Sequence, residues 1–160
     1  MRDDKELDLT GCKILVVDDV PANLDVVVQL LTTSGYEILV ATNGEESLKV
    51  AADSRPDLVL LDVMMPGIDG YEVCRRLKAD AHLMSIPVLF LTARDDLPGV
   101  SKGFASGGAD YITKPFNKDE LVNRIRTQLE RRMLRRQLDT LQAELEATRK
   151  GQSGEDTGDA

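Results

Sequence analysis

At 160 residues, 42% of them apolar, the chain can bury one full core and has little left for a second. Its two cysteines, Cys12 and Cys74, stand far apart with no CxxC or Cys/His cluster, which excludes a disulfide framework and a zinc site; no apolar run approaches the roughly 18 residues of a membrane span, and the charged start MRDDKELDLTG is no secretory signal, so a soluble cytoplasmic protein is expected. The net charge of −8 is uneven, with 11 Lys/Arg against 19 Asp/Glu in residues 1–116 and 8 against 4 in residues 121–150, which excludes nucleic acid as a general partner of the acidic body.

In chain order, five short strand-like runs alternate with helical patterns, the signature of a parallel α/β sheet covered by helices on both faces. KILVV (13–17) comes first, and Pro21 then opens a helix that Gly35 closes. YEILVA (36–41) is a weaker run suited to an edge, followed by a helix from Gly44 to the break at Pro56. DLVLL (57–61) and PVLFL (87–91) are apolar without alternation, as central strands are. Between them, a helix over 70–79 sets Val73, Cys74 and Leu77 on one face, for packing rather than thiol chemistry. The helix within DLPGVSKGFASGGA holds four glycines and a poor apolar stripe and should be the least stable. DYIT (110–113) is the second edge run. Asn117, with Glu120 three residues on, caps a last helix that meets no Gly or Pro before Gly151.

Polar residues end four of these runs: Asp18 and Asp19 after the first, Asp62 after the third, Thr92 after the fourth, Lys114 after the fifth. In an open parallel sheet those ends share one edge, where ligands bind. Three carboxylates brought together repel, so a cation should join them, and a hard oxygen-seeking ion such as Mg²⁺ (or Mn²⁺) suits them. Lys114 adds a positive charge and Thr92 a neutral donor. The set is shaped to hold a phosphoryl group on a carboxylate, and Asp62, alone on the middle strand, is the expected nucleophile.

The segments ILVVDD, LVLLDVMMPGIDGYEV, PVLFLTA and GGADYITKPF, in that order over residues 12–128, closely resemble the receiver domain of bacterial two-component response regulators. The resemblance implies a flavodoxin-like (βα)5 fold with strand order 2-1-3-4-5, and phosphorylation of Asp62 by a sensor histidine kinase or phosphotransfer protein. It assigns Asp18, Asp19, Asp62 and the backbone carbonyl of Met64 to the metal. It makes Lys114 the phosphate-binding lysine and Thr92 and Tyr111 the switch pair, and it places a cis peptide before Pro115. Such a receiver accepts phosphate and slowly loses it; it is not a turnover enzyme. Met64 cannot hydrogen-bond an attacking water, so a phosphorylated state lasting longer than seconds is expected. Met64 and Arg94 occupy the positions where this family tunes that lifetime. His82 reads as a surface residue. An aspartyl-phosphate phosphatase of the haloacid-dehalogenase type is the enzyme alternative, but it needs a second acid where Met64 stands.

From Asn117 to about Lys150 the pattern is one helix. Leu121, Val122, Ile125 and Leu129 can pack on the sheet, and Leu134, Leu138, Leu141, Leu145 and Thr148 then form an a/d seam. The pairs Glu130/Arg135, Gln137/Gln142 and Glu144/Arg149 favour a parallel homodimer. A DNA-binding basic region at Arg131, Arg132, Arg135 and Arg136 is disfavoured, because the cluster overlaps the seam. The expected organisation is an N-terminal tail (1–11), a receiver domain (12–128), a helical coiled-coil extension (129–150) and a disordered tail (151–160). The alternatives for the whole are a stand-alone receiver and the N-terminal part of a longer regulator that controls an effector domain or partner protein.

Overall fold

The computed structural model describes residues 7–93 and 102–155, with side chains as far as residue 151. Five strands, β1 (Lys13–Val17), β2 (Glu37–Ala41), β3 (Leu58–Asp62), β4 (Val88–Ala93) and β5 (Asp110–Lys114), pair in parallel in the order β2-β1-β3-β4-β5. Helices α1 (Pro21–Thr32), α2 (Gly44–Ser54) and α3 (Gly70–Ala79) connect them, and a C-terminal helix runs over Lys118–Glu155. This is the flavodoxin-like arrangement the sequence implies.

The unalternating apolar runs are explained by two cores, one on each face of the sheet. Leu15, Val17, Val59, Leu61, Val88 and Phe90 point to one face and meet Ala51 of α2 with Val73, Cys74 and Leu77 of α3. Their neighbours Ile14, Val16, Leu58, Leu60, Leu89 and Leu91 point to the other and meet Leu24, Val27 and Leu31 of α1 with Leu121, Ile125 and Leu129 of the C-terminal helix. Each such side chain contributes about 1.5–3 kcal/mol when fully buried, so a polar residue on either face of β3 would be costly. The edge strands β2 and β5 are only partly buried, as their sequences predict.

Local chemistry sets the helix ends. Pro21 occupies the first turn of α1, where a missing N–H costs nothing. The side chains of Asn43, Asp69 and Asn117 accept the backbone N–H groups of Glu46, Glu72 and Glu120 at 2.8, 2.9 and 2.7 Å. The peptide bond between Lys114 and Pro115 is cis, as the resemblance implies.

Two features differ from expectation. Leu9, placed in the N-terminal tail, is buried against the α1 face, and Gly11 donates its N–H to the carbonyl of Gly35 at 3.1 Å. The C-terminal helix continues through Gly151 and Gly154 to Glu155, beyond the expected end near Lys150, because each glycine costs a helix only about 1 kcal/mol. Of the glycine-rich helix expected within 96–109, residues 96–101 lie outside the described residues, and within 102–109 only residues 102–105 are helical. Arg94 also lies outside the described residues.

Candidate functional site

Because the strands are parallel, their C-terminal ends meet at one edge. β1 delivers Asp18 and Asp19, β3 ends on Asp62 itself, β4 carries Thr92 and β5 ends on Lys114. Single carboxylate oxygens of Asp18, Asp19 and Asp62 lie within 4.8 Å of one another. Lys114 Nζ sits 3.4 Å from Asp62 Oδ2 and 3.6 Å from Asp18 Oδ2. The remaining oxygens are fixed by the backbone: Asp18 Oδ1 accepts the N–H of Val20 at 2.9 Å, and Asp62 Oδ1 accepts that of Met64 at 3.3 Å. The site thus turns one oxygen of each buried acid toward the lysine.

Its electrostatics are unbalanced, with three acids facing one ammonium. Asp18 and Asp62 are buried, and burial raises the pKa of Asp62 above the usual carboxylate range. Lys114 opposes that rise, Asp18 adds to it, and the Met64 N–H lowers it slightly. A carboxylate kept uneasy by burial and a neighbouring acid is relieved by a hard cation, and the all-oxygen donor set fits Mg²⁺ or Mn²⁺. Asp18, Asp19 and Asp62 would hold it.

Thr92 is buried beside Asp62 in the strand register, in which Asp62 pairs with Leu91. It lines a cavity of about 10 Å³ together with Val63, Tyr71, Phe90, Phe104 and Tyr111, room for about one water. Tyr111 is half-buried and meets Phe104 edge to face at 5.9 Å between ring centroids. Met64 is 72% exposed. His82 is exposed.

Two contributors escape sequence reasoning. Gly70 begins α3 directly against β3, so that an added Cβ would stand 2.5 Å from the carbonyl oxygen of Asp62. Its signal was the Asp-Gly pair in PGIDG, which reads equally well as an ordinary turn. A groove of about 250 Å³ beside the acids is lined by Asp18, Lys114, Pro115 and Phe116 and by Asn23, Val26 and Val27 of α1. No local pattern marks those α1 residues, since only the fold carries them to the site.

Residues 14–126 match the family model described as the response regulator receiver domain. The DNA-binding dual master transcriptional regulator RpaA of Synechocystis is 42% identical over 119 residues, 74% of this chain and 49% of that protein. The response regulator PleD of Caulobacter vibrioides is 44% identical over 117 residues, 73% of this chain and 26% of that protein. The chain therefore spans about half or less of the length of these relatives. The crystal structure of the chemotaxis protein CheY4 of Vibrio cholerae superimposes with a TM-score of 0.70 at 30% identity, covering 74% of this chain and 98% of that one. Strand order, acid cluster and family match agree: the chain belongs to the response regulator receiver domain family, the phosphate-accepting modules of two-component signalling.

Proposed function

We propose that Asp62 is the phosphorylated residue, that it takes the phosphoryl group from a phosphohistidine of a sensor histidine kinase or phosphotransfer protein, and that Thr92 and Tyr111 report the change. The observation that carries this reading is the position of Lys114 Nζ, 3.4 Å from Asp62 and 3.6 Å from Asp18. An Asp62 oxygen attacks phosphorus, the P–N bond to the histidine breaks, and the imidazole leaves with the bonding pair. Lys114 counters charge on the phosphoryl oxygens. A divalent ion, when bound by Asp18, Asp19, Asp62 and the Met64 carbonyl, supplies further positive charge there. Thr92 donates its hydroxyl to the new oxygens, and Tyr111 turns inward as the turn carrying Phe104 shifts.

Met64, exposed and apolar, gives no hydrogen bond to an incoming water, so the acyl phosphate persists longer than seconds and the chain does not turn over substrate. Residues 12–128 form the receiver and 129–150 the helical extension, through which the chain forms a parallel homodimer in the cytoplasm. Among the described residues no helix is long and apolar enough to cross a membrane. A second reading is favoured by the length of the relatives: the receiver controls an effector domain or partner protein through the C-terminal helix. The test is phosphoryl decay at neutral pH after loading with acetyl phosphate and Mg²⁺. A half-life of minutes or longer is expected; a half-life of seconds overturns the role given to Met64.

A further inference from the structure

We infer that the C-terminal helix has two working faces: one locks it to its own receiver, and the opposite one seats a second copy of this chain in a parallel coiled coil that starts at Leu134. This deepens the assembly part of the proposed function and stands whether or not Asp62 accepts phosphate.

The first face is used up by Arg136. Leu121, Ile125 and Leu129 are buried against the sheet, and two further turns are held by charge at the end of the sheet remote from Asp62. Arg132 donates to the carbonyl of Ser85 at 2.9 Å, and Arg132 and Arg136 lie 3.7 and 3.6 Å from the same oxygen of Asp57. Asp57 is itself held, since its other oxygen accepts the N–H of Lys13 at 2.8 Å. The side chain of Arg132 is only 10% exposed, so its half of the clamp is part of the packed body, while Arg136, 61% exposed, closes the clamp from the surface.

The second face overlaps the clamp along the helix, on the opposite side. Leu134, Leu138, Leu141 and Leu145 are 50–60% exposed in the single chain, at spacings of four and three residues. In the heptad that puts them at a and d, Arg132 falls at b and Arg136 at f, on the far side of the helix. Own-receiver contact and pairing can therefore coexist. Charge complementarity identifies the occupant as a parallel second copy. In that orientation Glu130 meets Arg135 of the other chain and Glu144 meets Arg149, whereas an antiparallel pair sets Arg135 against Arg149 and Glu130 against Glu144. Glu144 and Arg149 are exposed, Glu130 is half-buried, and Arg135, also exposed, lies 3.7 Å from Asp139 of its own helix, a surface pair that an interchain partner can replace.

The start of the seam is set by Arg131, the preceding a residue, which is exposed. Two guanidiniums face each other there, so the apolar part of the seam begins at Leu134. The seam spans only two heptads, but the helix is already formed from Lys118, and pairing bears no nucleation cost.

The test uses the full chain at tens of micromolar, with and without beryllofluoride and Mg²⁺, followed by sedimentation. A dimer in either condition is expected, and the Leu138→Glu/Leu145→Glu variant, altered only at exposed positions, should associate at least about a hundredfold more weakly. Orientation is read from Thr148→Cys treated with copper phenanthroline, with the unsubstituted chain as the control for Cys12 and Cys74. Parallel pairing joins residue 148 to its own copy. Monomers in both conditions, or cross-linking of Thr148→Cys only to a Leu134→Cys chain, overturn the inference. Asp62→Asn should dimerise like the unsubstituted chain in the absence of beryllofluoride, so failure of the acceptor reading would show separately.

Discussion

Replacing Asp62 by Asn should make the metal-free protein more stable. Asp62 shares the site with Asp18 and Asp19 at separations up to 4.8 Å and with Lys114 at 3.4 Å. At an effective dielectric constant near 20, each acid repels Asp62 by about 3.5 kcal/mol, while Lys114 attracts it by about 5, leaving about 2 kcal/mol unfavourable before its desolvation is counted. Asn removes that charge, keeps the shape, and leaves Lys114 paired with Asp18 at 3.6 Å. For a chain of 160 residues the gain corresponds to a rise in Tm of about 6 °C at pH 7 in EDTA. The sign of the pH dependence follows from the raised pKa of Asp62. The folded state holds that proton more tightly than the unfolded state, so the unsubstituted protein gains on the variant as pH falls through the raised value, and the gap closes. Mg²⁺ acts in the same direction, adding about 2.7 kcal/mol to the unsubstituted protein at a hundred times its Kd and less to a variant with two acids. Thermal melts by circular dichroism across pH and Mg²⁺ measure all of this. A variant that melts at or below the unsubstituted protein in EDTA at pH 7 would refute the repulsion on which the site's affinity for a cation is argued.

Other outcomes follow from single contacts. Lys114→Gln should slow phosphorylation by acetyl phosphate about a hundredfold, and an unchanged rate would remove the lysine from the chemistry. Gly70→Ala places a Cβ 2.5 Å from the Asp62 oxygen and 2.9 Å from Val63 Cα, both backbone atoms, and should cost about 1–3 kcal/mol in urea denaturation; an unchanged midpoint would contradict the close approach. The Cys74 thiol is fully buried and its pKa is pushed up from 9.0 to about 11. Stability should therefore fall by about 2 kcal/mol as pH rises from 9 to 11, where the unfolded thiol ionises before the folded one does. Burial lowers the pKa of Lys78, which works in the opposite sense over the same range, so the readout is the difference from Cys74→Ala, expected to lack the thiol's share of the loss.

Much of this was legible in the sequence because the physics is local or periodic. ILVV, LVLL and VLFL are apolar at every position since each strand faces a core on both sides. Asp18, Asp62 and Lys114 were placed together by the rule that parallel strands end at one edge. The rest depends on contacts between distant segments. Nothing near Asp57 announces Arg132 and Arg136, and nothing near Asn23 announces Lys114. Leu9 lies in a charged stretch that reads as tail, yet one leucine with a gap to fill is enough to dock it. The small cavity between Thr92 and Tyr111 depends on ring positions that no residue pattern encodes.

The account rests on phosphate transfer to one carboxylate with help from a divalent ion. Intact-mass spectrometry after incubation with acetyl phosphate and Mg²⁺ tests it most directly, run beside Asp62→Asn and an EDTA control. One added phosphoryl group on the unsubstituted chain, and none on the variant or in EDTA, is the predicted result. Equal labelling of the chain and its Asp62→Asn variant would contradict it.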